Sequence, residues 1–337
     1  MSKHYTISLR EQDAEFHRSN FAEFCRLELL AHGPDPHIAM VTAAANGQGL
    51  WRAGCYINAY TFGGGAAIWT AWPTAWSVLN DPTQFKAWVA DHWAGIPMRR
   101  ERRAVKSKPK FAASMLSYAE WAVVSAPLLV GATYDMYWDS VRDLVKYFGR
   151  YATIKLLETL RRAGVIPVAM PDIRPRGAWS PRLTLSYMWP ELDAVLNSPT
   201  NADWVLATAN DHAALAMDLV KDHCGAELTC FQVEVLLCNY RQAIERKYPG
   251  RAHDSELGYY AKAERYWGKD VLGEDFWDTR AHLFPHACLG EFGGWEGERV
   301  ECCDTYLDHG YFWSDLLYDY AATANSGDWA HPVERVK

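Results

Sequence analysis

Residues 141–164 read VRDLVKYFGRYATIKLLETLRRAG. The pattern predicts a helix ending near Tyr147, a turn at Gly149, and a second helix starting at Arg150 or Tyr151. Ala152, Ile154, Leu156, Leu157 and Leu160 recur at helical spacing and face a core, while Lys155, Arg161 and Arg162 stay solvated. Gly164 stops the second helix ahead of Pro167.

Helical periodicity spreads outward from this hairpin. Phe16, Phe21, Phe24, Leu27 and Leu30 predict a helix over 11–31. Phe85, Trp88, Val89 and Trp93 predict another over 83–94, after the start signal Asn80-Asp81-Pro82. Further helices are expected over 111–124, 136–147, 150–163, 211–223, 228–247, 254–267 and 304–324. Strand candidates are few, and no strand–helix–strand rhythm appears. The fold class is therefore mainly α. Irregular chain is expected at 32–50, 61–66 around Gly63-Gly64-Gly65, 165–190 and 285–300. The loop PDIRPRGAWSPR at 171–182 is long for a structureless connection, and such loops are often functional. We expect one helical region over 1–250 and an acidic, aromatic-rich helical region over 251–337 packed on it.

The chain has 337 residues, 49% hydrophobic and 22% charged, which excludes wholesale disorder. No apolar run approaches the ~20 residues that cross a bilayer. The opening MSKHYTISLREQDAEF lacks a signal-peptide core, so a cytoplasmic protein with no membrane partner is expected. Eight cysteines without C-x-x-C spacing read as free thiols. His282, His286 and Cys288 lack an evident fourth ligand, so no metal is expected. Walker, dinucleotide, zinc-protease, esterase and deaminase motifs are all missing, and no cofactor is expected.

Charge is unevenly placed. The net charge is −7, yet 99–182 carries 16 Lys/Arg against 7 Asp/Glu, and 252–337 carries 7 against 17. A polyanion suits the basic middle. Arg99, Arg100, Arg102, Arg103, Lys106, Lys108 and Lys110 form its sharpest cluster, and guanidinium forks suit phosphate oxygens. An ordinary solvated basic face gives the same pattern.

The hairpin resembles the helix-hairpin-helix of DNA glycosylases and repair proteins. That resemblance implies a glycosylase-like helical character, with Gly149 allowing the turn and the amides after it meeting a DNA phosphate. Arg150, Tyr151 and Lys155 would flank that contact, with Lys106, Lys108, Arg174 and Arg176 as further DNA-binding groups. Tyr147 stands where the usual motif has its first glycine. An ordinary helical hairpin explains the same pattern.

The segment WRAGCYINAY at 51–60 mixes stacking groups with a cation, an amide and a thiol. Arg52, Tyr56, Asn58 and Tyr60 suit an extruded base, which needs an aromatic platform and an edge reader. Trp69, Trp72 and Trp76 more simply read as core. Cys55 is a candidate nucleophile whose pKa Arg52 would lower, and also a candidate inert core thiol. Asp172 and Glu234 are candidate bases for an incoming amine. Glu234 and Cys238 share a helix face, where a structural ion pair is the plainer reading.

WRAGCYINAY (51–60), IPMRRERRAVKSK (96–108), YFGRYATIKLLETL (147–160) and FQVEVLLCNY (231–240) together resemble a bacteriophage family that hypermodifies thymine in DNA. These are the amino acid:DNA transferases, formerly α-glutamyl/putrescinyl-thymine pyrophosphorylases. The resemblance implies double-stranded DNA bearing a modified thymine as substrate and a free amino acid, such as glycine, as co-substrate. It implies that a separate kinase pyrophosphorylates 5-hydroxymethyluracil and that the transferase then displaces the pyrophosphate. A phage-encoded member would work in the host cytoplasm. The alternatives are a helical DNA glycosylase, a non-catalytic phage DNA-binding protein, and an enzyme acting on a small phosphorylated substrate.

Overall fold

A computed structural model describes residues 14–26, 48–98, 105, 107–196, 201–244, 259, 262–268 and 271–274. Among them the regular elements are helical and no strand occurs. No helix of the described residues is long and apolar enough to cross a membrane. In chain order the helices are α1 (14–26), α2 (Gly49–Ala59), α3 (Phe62–Ala71), α4 (Ala75–Asn80), α5 (Pro82–Asp91), α6 (Lys108–Glu120), α7 (Tyr134–Leu144), α8 (Arg150–Arg162), α9 (Trp179–Met188), α10 (Asp193–Leu196), α11 (Asp203–Cys224), α12 (Cys230–Ile244) and α13 (262–267).

The described residues fall into two compact units. One gathers those between 48 and 169 with those between 259 and 274. The other gathers 14–26 with those between 170 and 244. Residues 1–250, expected as one region, thus contribute to both.

In the first unit α2 packs against α3, α6 and α8. The α2–α3 contact is close because glycine lines it. Gly63, Gly64 and Gly65, expected in an irregular turn, lie inside α3 and are buried. A Cβ on Gly65 would stand 3.0 Å from the Tyr56 Cα, and one on Gly54 would stand 1.8 Å from the Tyr118 ring. Helix propensity disfavours glycine here, and close packing overrides it. Thr61 starts α3. Its hydroxyl accepts from the Gly64 amide and donates to the Pro97 carbonyl at 2.6 Å. That bond fixes the chain just before the basic cluster. The Tyr118 hydroxyl donates to the Leu50 carbonyl and ties α6 to α2. After α6 comes a π-helical turn, Trp121–Ser125, whose Trp121 indole donates to Ser140 of α7 at 2.9 Å.

The core of the second unit joins Phe21 and Phe24 of α1, Leu185 and Met188 of α9, Ala209, Ala213, Ala216 and Val220 of α11, and Val233, Leu236, Leu237 and Tyr240 of α12. The α11 set recurs every three or four residues and the α12 set falls at i, i+3, i+4 and i+7, as an apolar stripe must. The expected structureless loop at 171–182 is shorter than its sequence suggests, because α9 starts at Trp179. The expected helix over 304–324 lies outside the described residues.

His17 sits in this unit with its Nδ1 3.1 Å from the Tyr240 hydroxyl and its ring stacked 5.5 Å from Tyr187. Burial lowers its pKa to about 4. An unfolded histidine titrates at about 6.5, so between those values the unfolded chain binds the extra proton. The contribution of His17 to the stability of this unit is therefore complete above about pH 6.5 and falls by about 3 kcal/mol as the pH drops to about 4. Urea titrations of the wild type and of His17→Gln across that range check this. The wild type is expected to show the slope and the variant to lose this contribution.

Candidate nucleic-acid interface

The chain turns between α7 and α8 over 145–149. Its left-handed residue is Tyr147, with φ 64°, whereas Gly149 has φ −77° and ψ 176°, an extended conformation open to any residue. The expectation that Gly149 permits the turn is therefore corrected: the strained position is Tyr147. Phe148, 4% exposed, is anchored in the core, and its amide donates to the Val145 carbonyl. That tight return leaves Tyr147 to absorb the reversal. A left-handed non-glycine residue costs about 1–2 kcal/mol. Tyr147→Gly is accordingly expected to hold or raise the melting temperature, with scanning calorimetry as the check.

Side chains of α6 clamp this turn. The Lys146 amide donates to the Ser117 hydroxyl at 2.9 Å, and the Ser114 hydroxyl lies 3.0 Å from the Lys146 carbonyl. Ser114 also reaches Asn58 Oδ1 at 2.7 Å, and Asn58 Nδ2 donates to the Gly54 carbonyl at 2.9 Å. A hydroxyl has one proton, so Ser114 shares it between two acceptors. Asn58 is 1% exposed and engaged at both ends of its amide. It therefore does not stand where a base edge could be read, and it supports the hairpin from beneath.

Above the clamp, α8 opens at Gly149, which has no side chain of its own to cap the helix. A helix offers no internal acceptor to the amides of its first turn, and its dipole favours an anion there. The Lys155 ammonium lies 5.7 Å from the Tyr151 ring centroid, and that of Lys110 5.9 Å from the Tyr147 ring. The hydroxyls of Tyr151 and Tyr60 are 2.6 Å apart, so the end of α2 meets the start of α8. Arg150, Tyr151, Lys155 and Tyr60, four of the expected residues, thus gather at one place with Gly149.

Others serve the fold. Arg161 and Arg162, expected to stay solvated, bind the buried Glu158 carboxylate at 2.8 Å and 2.6 Å. The Lys108 ammonium donates to the Ala90 carbonyl at 2.6 Å, against the C-terminal end of α5 where cations are favoured. Arg52 lies 5.5 Å from the Trp69 ring centroid. Tyr56, partly buried on α2, has its backbone against Gly65.

Cys55 is fully buried, and burial pushes its thiol up well above the ordinary value. Arg52 pulls in the expected direction, but loss of water outweighs it. The expected activated thiolate is therefore corrected to a protonated core thiol. Alkylation with iodoacetamide at pH 8 is expected to leave Cys55 unmodified in the native protein and to label it after denaturation. Rapid native labelling would contradict this.

Asp172 and Glu234 belong to the second unit, as do Arg174 and Arg176. Asp172 accepts from the Arg174 amide at 2.7 Å, and the Arg174 guanidinium lies 3.6 Å from the same oxygen. This is a turn-forming carboxylate. Arg176 is exposed, 3.8 Å from Asp203. Glu234 is 1% exposed on α12. Arg99, Arg100, Arg102, Arg103 and Lys106 lie outside the described residues, as do His282, His286 and Cys288. Among the described residues no three metal-ligating side chains cluster.

Sequence reasoning missed Ser114 and Ser117. Their spacing on one helix face was visible, but their partners come from chain segments far away. Compared with protein-family profiles, with curated proteins and with solved structures, the chain matches none.

Proposed function

We propose that the protein is a DNA-modifying transferase. It replaces the pyrophosphate on the 5-methylene of pyrophosphorylated 5-hydroxymethyluracil with the amine of a free amino acid. The observation that supports this reading is the clamped hairpin, which brings Arg150, Lys155 and Lys110 to the start of α8. Such a surface suits the phosphates of duplex DNA. The helix-hairpin-helix and glycosylase-like likeness belongs to the same proposal.

The reaction balances without a redox partner. The carbon–oxygen bond to pyrophosphate breaks and its electron pair leaves with the pyrophosphate. The uracil ring supplies electrons and leaves an exocyclic methylene. The amine nitrogen bonds to that carbon and loses a proton. A protonated, buried Cys55 gives no support to a covalent adduct, so the ring-driven path is the one proposed. Arg99, Arg100, Arg102 and Arg103 would hold the leaving group. Asp172 and Glu234, one held in a turn and the other buried, are assigned no proton transfer. A hydroxymethyluracil DNA kinase would supply the substrate.

The test is incubation with pyrophosphorylated hydroxymethyluracil DNA and a pool of amino acids, followed by digestion and nucleoside mass spectrometry. A nucleoside carrying an added amino acid is the expected result and names the amino acid. An unchanged profile with intact substrate overturns the reading. Released free base replaces it with a glycosylase.

A further inference from the structure

We infer that the first unit docks a basic amphipathic helix of a partner protein on the apolar tip between α6 and α7. Leu128 is 81% exposed there and Val130 87%, and Val124 and Met136 are each more than half exposed. α4 packs against the π-helical turn beneath the tip, and its Trp76, expected in the core, is 59% exposed. Scattered apolar side chains on a surface need no explanation. Five large ones gathered on elements that pack together mark a surface that another molecule covers.

The tip is held in shape. The Ala132 amide donates to the Leu129 carbonyl at 2.9 Å and closes a turn in which Gly131 has φ 80°. Ala132 is buried and anchors that turn, and the Thr133 hydroxyl accepts from the Met136 amide at 3.4 Å at the start of α7. The bond from the Trp121 indole to Ser140 ties the π-helical turn to α7. Apolar side chains on a fixed turn cost little backbone freedom when a partner covers them.

Charge selects the partner. Residues 111–141 include Glu120, Asp135 and Asp139 but no lysine or arginine. Glu120 and Asp139 are exposed and stand next in sequence to the two residues of the Trp121–Ser140 bond. α4 holds no charged residue, and Asp81 follows it. Further along α7 the Arg142 guanidinium lies 5.9 Å from the Trp138 ring centroid. Duplex DNA or an anionic bilayer would meet carboxylates at the tip, and a second copy would set like charges against each other. A helix with leucines on one face and lysines beside them matches both the apolar surface and its acidic border. The tip precedes α7 and the hairpin turn follows it, so this surface is separate from the proposed DNA interface and does not rest on it.

The test is fluorescence anisotropy of the full chain with a labelled amphipathic helical peptide of leucine and lysine, and with its leucine–glutamate counterpart. The lysine peptide is expected to bind and the glutamate peptide to bind at least about 10-fold more weakly. Leu128→Ser is expected to weaken the lysine peptide by roughly 10- to 100-fold, the range of losing one buried leucine. Val130→Ser should act in the same direction. Glu120→Gln with Asp139→Asn should lower the affinity at low salt and flatten its salt dependence. Trp204→Ala should change nothing, although Trp204 is also 59% exposed, because it lies in the other unit. Unchanged binding by Leu128→Ser overturns the inference, as does equal binding of the two peptides or no binding of the lysine peptide. Sedimentation of a dimer, or flotation with phosphatidylglycerol vesicles, that Leu128→Ser abolishes would give the tip to a second copy or to lipid and overturn it too.

Discussion

Gly64→Ala is expected to destabilise the first unit by about 3 kcal/mol or more, the upper end of what overpacking costs. The new Cβ would stand 2.2 Å from the Pro97 carbonyl oxygen, 2.7 Å from the Ala59 Cβ and 2.8 Å from the Thr61 hydroxyl. A flexible side chain could swing away from such a contact. A carbonyl oxygen moves only with its chain, and this one accepts the bond that Thr61 uses to fix α3 against Pro97. Relief of the clash therefore breaks the bond. Gly149→Ala is the matched control, since a Cβ there meets nothing within 4 Å and the backbone is extended. It should stay within about 0.5 kcal/mol of the wild type, as an ordinary surface change does. Urea denaturation followed by circular dichroism reads both. A Gly64→Ala protein as stable as the wild type would show that the α2–α3 contact is looser than described.

Reversing the charges at the start of α8 should have the larger functional effect. The double variant Arg150→Glu, Lys155→Glu places two carboxylates in the first two turns of the helix. Each lost phosphate contact removes about 0.9 from the slope of log affinity against log salt. The slope for duplex DNA is therefore expected to fall by about 2, and the affinity at low salt by about 100-fold. Both residues are half-buried, and the melting curve is the check that the variant is folded. An unchanged salt slope with a folded protein would remove the hairpin from the DNA interface and leave the proposed function without its support.

Helices with a one-sided apolar stripe were legible. Pro82–Asp91, Arg150–Arg162 and Cys230–Ile244 lie close to where periodicity puts them. Helices without a clean stripe were not. α2 and α3 are buried almost all round, so no polar face marks their period, and the glycines of α3 read as a turn. α9 was hidden by the prolines and arginines before and within it.

The candidate site divided along a similar line. Gly149, Arg150, Tyr151 and Lys155 are neighbours on one helix, so their grouping followed from spacing alone. Tyr60 joins them only through its contact with Tyr151, 91 residues away. Asn58 was read as a base reader because an amide beside aromatic residues has that chemistry, but it is bonded to Ser114, 56 residues on.

The sequence by itself determined that this protein is mainly helical, where its basic residues concentrate along the chain, and that a hairpin turns near residue 149. Each depends on residues within one or two turns of each other. Tertiary structure alone decided which polar and nucleophilic groups face water. Cys55 lost its activation to burial, Asn58 was drawn into a structural bond with Ser114, and Tyr147 took the strained backbone expected of a glycine. Periodicity is a local property of the chain, whereas desolvation and hydrogen-bond partners depend on which distant segment packs against a side chain.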